Sequence, residues 1–190
     1  MGYSTDFVGK FEFNKPVEPW LIEYINNFCN TRRMKRDNEK IMKLFPNWKD
    51  LCFNGNLGYE GEYFVGGTGM MGQDHDGSIV DYNEPAFTQP SLWCQWVVTD
   101  DGKYLEWDGS EKFYNYMQWL DYLVCEFFHP LGYVLNGTVE WQGEDYDDFG
   151  TLTIMDNVVI AEAGVRASAM SCISDERLIE ELVSRGYKVS

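Results

Sequence analysis

The stretch Leu92-Trp93-Cys94-Gln95-Trp96-Val97-Val98, then Asp100-Asp101-Gly102, then Tyr104-Leu105-Glu106-Trp107, decides the fold. Two alternating apolar runs around an Asp-Gly pair make a β-hairpin, because the turn demands positive φ and Gly adopts it freely. Immediately afterwards Asp108 and Glu111 stand at D-x-x-E capping-box spacing. Phe113, Tyr116, Met117, Leu120, Leu123, Val124 and Phe127 then recur on one helical face, which predicts a helix over 111–128 closed by Pro130 and Gly132. A hairpin feeding an amphipathic helix points to an antiparallel sheet covered by helices on one face.

The flanks agree. Phe7, Phe11 and Phe13 alternate with Asp6, Lys10 and Glu12, which predicts a strand within 3–15 that has a bulge at Gly9 and ends at Pro16. Pro19 suits a first helical position, and Trp20, Leu21, Tyr24, Ile25 and Phe28 follow at helical spacing, predicting a helix over 19–33. A second short helix spans 37–45 and stops at Pro46. Residues 54–91 are rich in Gly, Asn and Asp, with one strand candidate at Tyr63-Phe64-Val65. So long a loop in a compact domain is more often functional or poorly ordered than merely connecting. Strands follow over 133–141 and 151–161, joined by the acidic segment 143–150. Ser174 caps a last helix with Leu178, Ile179, Leu182 and Val183 on one side. The expectation is a single two-layer α+β domain over 1–190.

The 190 residues are 44% hydrophobic, 24% charged and 16% aromatic. Each buried ring removes roughly 150–250 Å² from water, so a ring-built core needs no metal or disulfide staple. No run approaches the ~20 apolar residues of a membrane span, and the N-terminus lacks a secretory pattern. Cys29, Cys52, Cys94, Cys125 and Cys172 form no C-x-x-C motif and read as reduced, mostly buried thiols, which gives a cytoplasmic expectation.

Charge is divided along the chain. Residues 1–50 carry nine Lys/Arg and seven Asp/Glu, net +2, whereas residues 51–190 carry six and twenty-four, net −18, giving −16 overall. An acidic body of this kind argues against direct nucleic-acid binding and against anionic membranes.

Four groups of residues carry the candidate chemistry. Asp74, His75, Asp76 and Asp81, beside Gln73, offer oxygen donors and one imidazole that suit Mg²⁺ or Mn²⁺, although the same loop reads as self-satisfied Asx turns. Arg32, Arg33 and Arg36, with Lys35, Lys40 and Lys43, could grip the phosphate of a nucleotide-like ligand or dock internally on loop carboxylates. Gln73, Trp93 and Gln95 could face such a ligand, with Trp93 and Trp107 otherwise packing toward the helices. Glu140, Glu144, Asp145, Asp147 and Asp148 form an acidic edge for a basic protein surface. The calcium-loop match of Asp145, Asp147, Gly150 and Asp156 is poor, because Phe149 takes the fifth position and the bidentate Glu is missing. His129 reads as a C-terminal helix cap. No nucleophile elbow, triad or phosphate loop is present in the sequence.

Residues 1–7 (MGYSTDF), 31–34 (TRRM), 72–76 (GQDHD), 89–96 (QPSLWCQW), 106–114 (EWDGSEKFY) and 136–144 (NGTVEWQGE) resemble segments of a family of uncharacterised proteins from bacteria and their phages. That family has no assigned activity, so the resemblance implies a bacterial or phage source and transfers no site. The expected function is an acidic, non-enzymatic binding or inhibitor protein engaging a basic host surface. The alternative is a metal-dependent or nucleotide-processing enzyme, or a nucleotide binder, built from the 73–83 loop and Arg32/Arg33.

Overall fold

A computed structural model describes residues 2–67 and 69–164; the helix expected after Ser174 lies outside the described residues. Among the described residues, eight strands and three α-helices occur in the order β1 (Thr5–Phe13), α1 (Pro19–Cys29), β2 (Lys35–Arg36), α2 (Asn38–Leu44), β3 (Ile79–Asp81), β4 (Trp96–Val98), β5 (Tyr104–Trp107), α3 (Tyr116–Leu123), β6 (Leu135–Gly143), β7 (Phe149–Met155) and β8 (Val158–Ala163). Six of the strands form one antiparallel sheet in the order β4-β5-β1-β6-β7-β8. Strands β2 and β3 make a separate two-stranded ribbon.

The central ladder joins β1 and β6 over nine residue pairs, from Thr5 opposite Gly143 to Phe13 opposite Leu135, with no register break. Gly9 therefore marks a close approach and not the expected bulge. Its φ is +120°, and a Cβ there would sit 2.6 Å from the Thr138 carbonyl oxygen. Gly137, at φ +141°, meets the Lys10 carbonyl oxygen in the same way at 2.9 Å. The two glycines let the backbones nest where any side chain would push them apart.

Strand alternation sends Phe7, Phe11 and Phe13 to the helical side. Phe7 meets Trp96, Trp107, Phe113 and Tyr116 edge-on at centroid separations of 4.9–5.9 Å. Phe13 contacts Phe128 at 4.9 Å, and Phe28 of α1 packs on Trp119, Tyr122 and Phe127. The helices thus share one face of the sheet, as expected. The other face is uncovered by any described element, and Val8 there is 72% exposed.

Strand β4 is an edge, and α1 protects it. The Asn26 side chain donates to the Val98 carbonyl and accepts from the Val98 amide, both at 2.9 Å. A helix side chain thereby takes up the ladder groups another strand would otherwise capture.

Several boundaries differ from the sequence reading. Helix α1 stops at Cys29, not residue 33, because Asn30 leaves helical geometry and the chain turns into β2. Helix α3 starts at Tyr116, after Asn115 in the left-handed region, and continues as a π-helical turn over Val124–Phe128. Asp108 accepts from the Ser110 amide at 2.7 Å instead of capping that helix. The segment 151–161 is not one strand: Asp156 and Asn157 both take positive φ (48° and 69°) and fold it into the tight β7–β8 hairpin, Met155 opposite Val158. Tyr63-Phe64-Val65 is not a strand; Phe64 instead anchors a second small core with Ile41, Cys52 and Leu57.

Gly9→Ala should lower unfolding stability by about 1–3 kcal/mol through the backbone clash and the unfavourable φ. Val8→Ala, next to it but exposed, should stay within about 0.5 kcal/mol. Urea unfolding followed by tryptophan fluorescence distinguishes the two.

Candidate functional site

The cationic segment after α1 is drawn into the protein. The Arg33 amide donates to the Leu92 carbonyl at 2.9 Å, turning its side chain inward beneath the 54–91 segment. The guanidinium is 3% exposed, lies 4.4 Å from the Phe28 ring centre, and donates from Nη2 to the Phe64 carbonyl at 2.5 Å. Its Nε and Nη1 have no hydrogen-bond partner. Burial, the largest influence, lowers the Arg33 pKa to about 10.

Arg36 is equally enclosed. Its Nη1 donates to Asp76 at 2.8 Å and to the Ser78 hydroxyl at 2.6 Å. Lys35 pairs with Glu60 at 2.8 Å, and Lys40 with Asp37 at 3.8 Å. The internal docking of these cations on loop carboxylates is thus realised for Lys35 and Arg36. Arg33 and Arg36 do not present an open phosphate grip, because both guanidiniums are buried.

Arg32 remains at the surface of this region but is engaged. Its Nε donates to the Tyr82 carbonyl at 3.1 Å and its guanidinium carbon lies 4.4 Å from the Tyr82 ring centre and 5.7 Å from that of Trp93. His75 stacks on the same tyrosine at 4.6 Å, and the Tyr82 hydroxyl donates to Gln73 at 3.2 Å. Arg32, Gln73, His75 and Trp93 do come together, around Tyr82, a residue the sequence reading left without a role.

The carboxylates of that loop serve its turns. Asp76 accepts from the Ser78 amide at 2.8 Å and from the Ser78 hydroxyl. Burial alone would raise the Asp76 carboxyl, but Ser78 and Arg36 outweigh it and hold it below the usual range. Asp81 accepts from the Asn83 amide at 2.8 Å, in an Asx turn. Asp74 is exposed. Asp74, His75, Asp76 and Asp81 do not converge, and no cluster of three or more His, Cys, Asp or Glu suited to a metal occurs among the described residues. Asp76 and Asp81 are instead spent on donors within the protein.

Trp93 is half-buried, whereas Trp96, not Trp93, is the enclosed core ring of the hairpin. The strand begins only at Trp96, which sets the parity: Trp96 and Trp107 are directly opposed and face the helices together. Gln95 is buried, donating to the Glu111 carbonyl at 3.0 Å and accepting from Trp107 at 3.2 Å, so it serves packing rather than a ligand.

Glu140 lies on the outward face of the sheet, and Glu144, Asp145, Asp147 and Asp148 occupy the β6–β7 turn. The Ser4 amide donates to Glu144 at 2.7 Å, and the Tyr3 hydroxyl donates to Asp148 at 2.5 Å, stapling the 143–148 turn to the N-terminal strand. Glu140, Glu144, Asp145, Asp147 and Asp148 are exposed. Asp6, Val8, Glu140 and Trp141 bound a groove of about 410 Å³ across β1, β6 and β7. Asp6 and Val8 were not singled out from sequence, although the parity of β1 puts both on the outward face.

A second cavity, of about 400 Å³, is bounded by Cys29, Met71, Trp93, Cys94, Gln95 and Tyr114. Cys29 and Cys94 are buried with their sulfurs 3.4 Å apart. No local motif announces this pair, because 65 residues separate its members.

No family model, no curated protein and no solved structure matches the chain. No helix among the described residues is long and apolar enough to cross a membrane.

Asp76→Asn should destabilise the protein by about 3 kcal/mol at pH 7, because it leaves the Arg36 guanidinium buried without its anion. Since the folded-state pKa of Asp76 is depressed, its contribution is present above the ordinary aspartate range and fades as pH falls through the folded value. The wild-type advantage over Asp76→Asn in urea midpoint should therefore shrink between pH 5 and about pH 2.

Proposed function

We propose that this is an acidic, non-enzymatic binding protein that engages a basic surface of another protein through its uncovered sheet face and 143–148 turn. One observation carries the reading. Among the described residues, no Lys or Arg forms an ion pair with Glu140, Glu144, Asp145, Asp147 or Asp148. The guanidiniums that might have neutralised the exterior, Arg33 and Arg36, are turned inward.

The groove supports the same reading. A lysine or arginine of a partner would lay its aliphatic stem along Val8 and carry its charge to Asp6 and Glu140. Opposed potentials accelerate encounter and select partners more than they set affinity. The buried thiols and the resemblance noted above favour a cytoplasmic bacterial or phage setting.

The test compares two charge-matched variants. In one, Glu140, Glu144 and the three aspartates Asp145, Asp147 and Asp148 become Gln or Asn; in the other, Glu23, Glu39, Asp50, Asp100 and Glu111, exposed elsewhere, are changed likewise. Binding of a lysine- and arginine-rich peptide at 0.15 M salt should weaken about tenfold or more in the first and far less in the second. Equal losses would make the interaction one of bulk charge and overturn the assignment of the face.

A further inference from the structure

The Cys29–Cys94 pair is joined to Arg33 by geometry. Cys29 donates its S–H to Cys94 across 3.4 Å, and the Arg33 amide is bonded to Leu92, two residues before Cys94. The segment 29–33 and the segment 92–94 are therefore crosslinked at both ends. Arg33 is buried nearby with two unpartnered guanidinium nitrogens, and its charge acts on the Cys29 thiol. A buried cation without an anion costs several kcal/mol, so the site is short of one negative charge.

We infer that Cys29 and Cys94 form a binding site for one monovalent soft metal ion, copper(I) or silver(I), held by two thiolates on the wall of the cavity that also carries the Met71 thioether.

The charge balances. Two thiols and one M⁺ give one (RS)₂M⁻ unit and release two protons to solvent, with no oxidant or reductant involved. The unit's single negative charge compensates Arg33. A disulfide would leave the same place neutral and Arg33 still uncompensated. Ligand type points the same way: thiolate and thioether select soft ions, whereas zinc asks for four tetrahedral donors. With metal–sulfur bonds of about 2.3 Å the sulfurs would part by on the order of 1 Å, and the adjoining cavity gives room for that movement. Burial pushes the Cys29 thiol well above its usual range, with Cys94 adding to the effect.

The experiment uses the full chain with Cys125 and Cys172 changed to Ser and the buried Cys52 changed to Ala, which removes the competing thiols. Silver(I), and copper(I) prepared anaerobically with ascorbate and buffered by bicinchoninate, are titrated in and the retained ion is counted by native mass spectrometry. One ion per chain is expected, retained at least a hundredfold more tightly than by the same chain carrying Cys29→Ala and Cys94→Ala. Near-ultraviolet circular dichroism establishes that the alanine variant is folded. Arg33→Met, which keeps the stem and removes the charge, should weaken retention at least tenfold. X-ray absorption on the copper(I) form should show a sulfur-only shell, a readout that needs no variant. Retention unchanged by the alanine pair, retention unchanged by Arg33→Met, no ion held, or oxygen and nitrogen ligands in the shell would each overturn the assignment.

Discussion

Two guanidiniums hold this protein together in a way its composition conceals. Arg33 and Arg36 lie inside, one under the Phe64 carbonyl and the other between Asp76 and Ser78. Their burial is costly in isolation. It is offset by what they fasten: the 54–91 segment has little regular structure of its own and would otherwise expose unpaired backbone. Around them the chain is tied repeatedly, by the β2–β3 ribbon, by Lys35 and Asp37 amides donating to Glu84 and Ser78 carbonyls, and by Gln89 donating to Glu62. The long segment is thus an ordered shell over a small core of Ile41, Cys52, Leu57 and Phe64.

The inward use of positive charge has an outward consequence. The sheet is covered by helices on the face of Phe7, Phe11 and Phe13, and its other face carries Asp6, Val8 and Glu140. The tight β1–β6 ladder makes that division sharp, since an unbroken register keeps odd and even positions apart over nine residues. With Arg33 and Arg36 withdrawn, no ion pair among the described residues engages Asp6 or Glu140 on that face. The fold and the proposed function therefore rest on the same sorting of charge.

What could be seen in the sequence followed from periodicity. The hairpin around Asp100-Asp101-Gly102, the faces of α1 and α3, the short helix that ends before Pro46 and the antiparallel two-layer arrangement all arise from local patterns that burial then reinforces. What escaped was set by distant partners or by unusual φ. Asp156-Asn157 makes a tight turn without glycine, which hid a strand boundary. Asn115 starts a helix from a left-handed residue, so the capping-box spacing at Asp108 misled. Gly9 looked like a bulge because only the partner strand reveals a close approach. At the candidate sites, Arg32, Gln73, His75 and Trp93 gather around Tyr82, a centre that no local pattern marks. Nothing local could foretell that Cys29 meets Cys94, or that Arg33 is buried without a carboxylate.

The sorting of charge is tested most directly by nuclear magnetic resonance of the arginine side chains, which reads each guanidinium's exchange with water. The account predicts that the Arg33 and Arg36 resonances, assigned by single substitution, exchange far more slowly with water than free arginine, as enclosed groups must. Exchange of both at the rate of free arginine would place them in solvent, leaving the loop unanchored and the acidic exterior open to neutralisation by the protein's own cations.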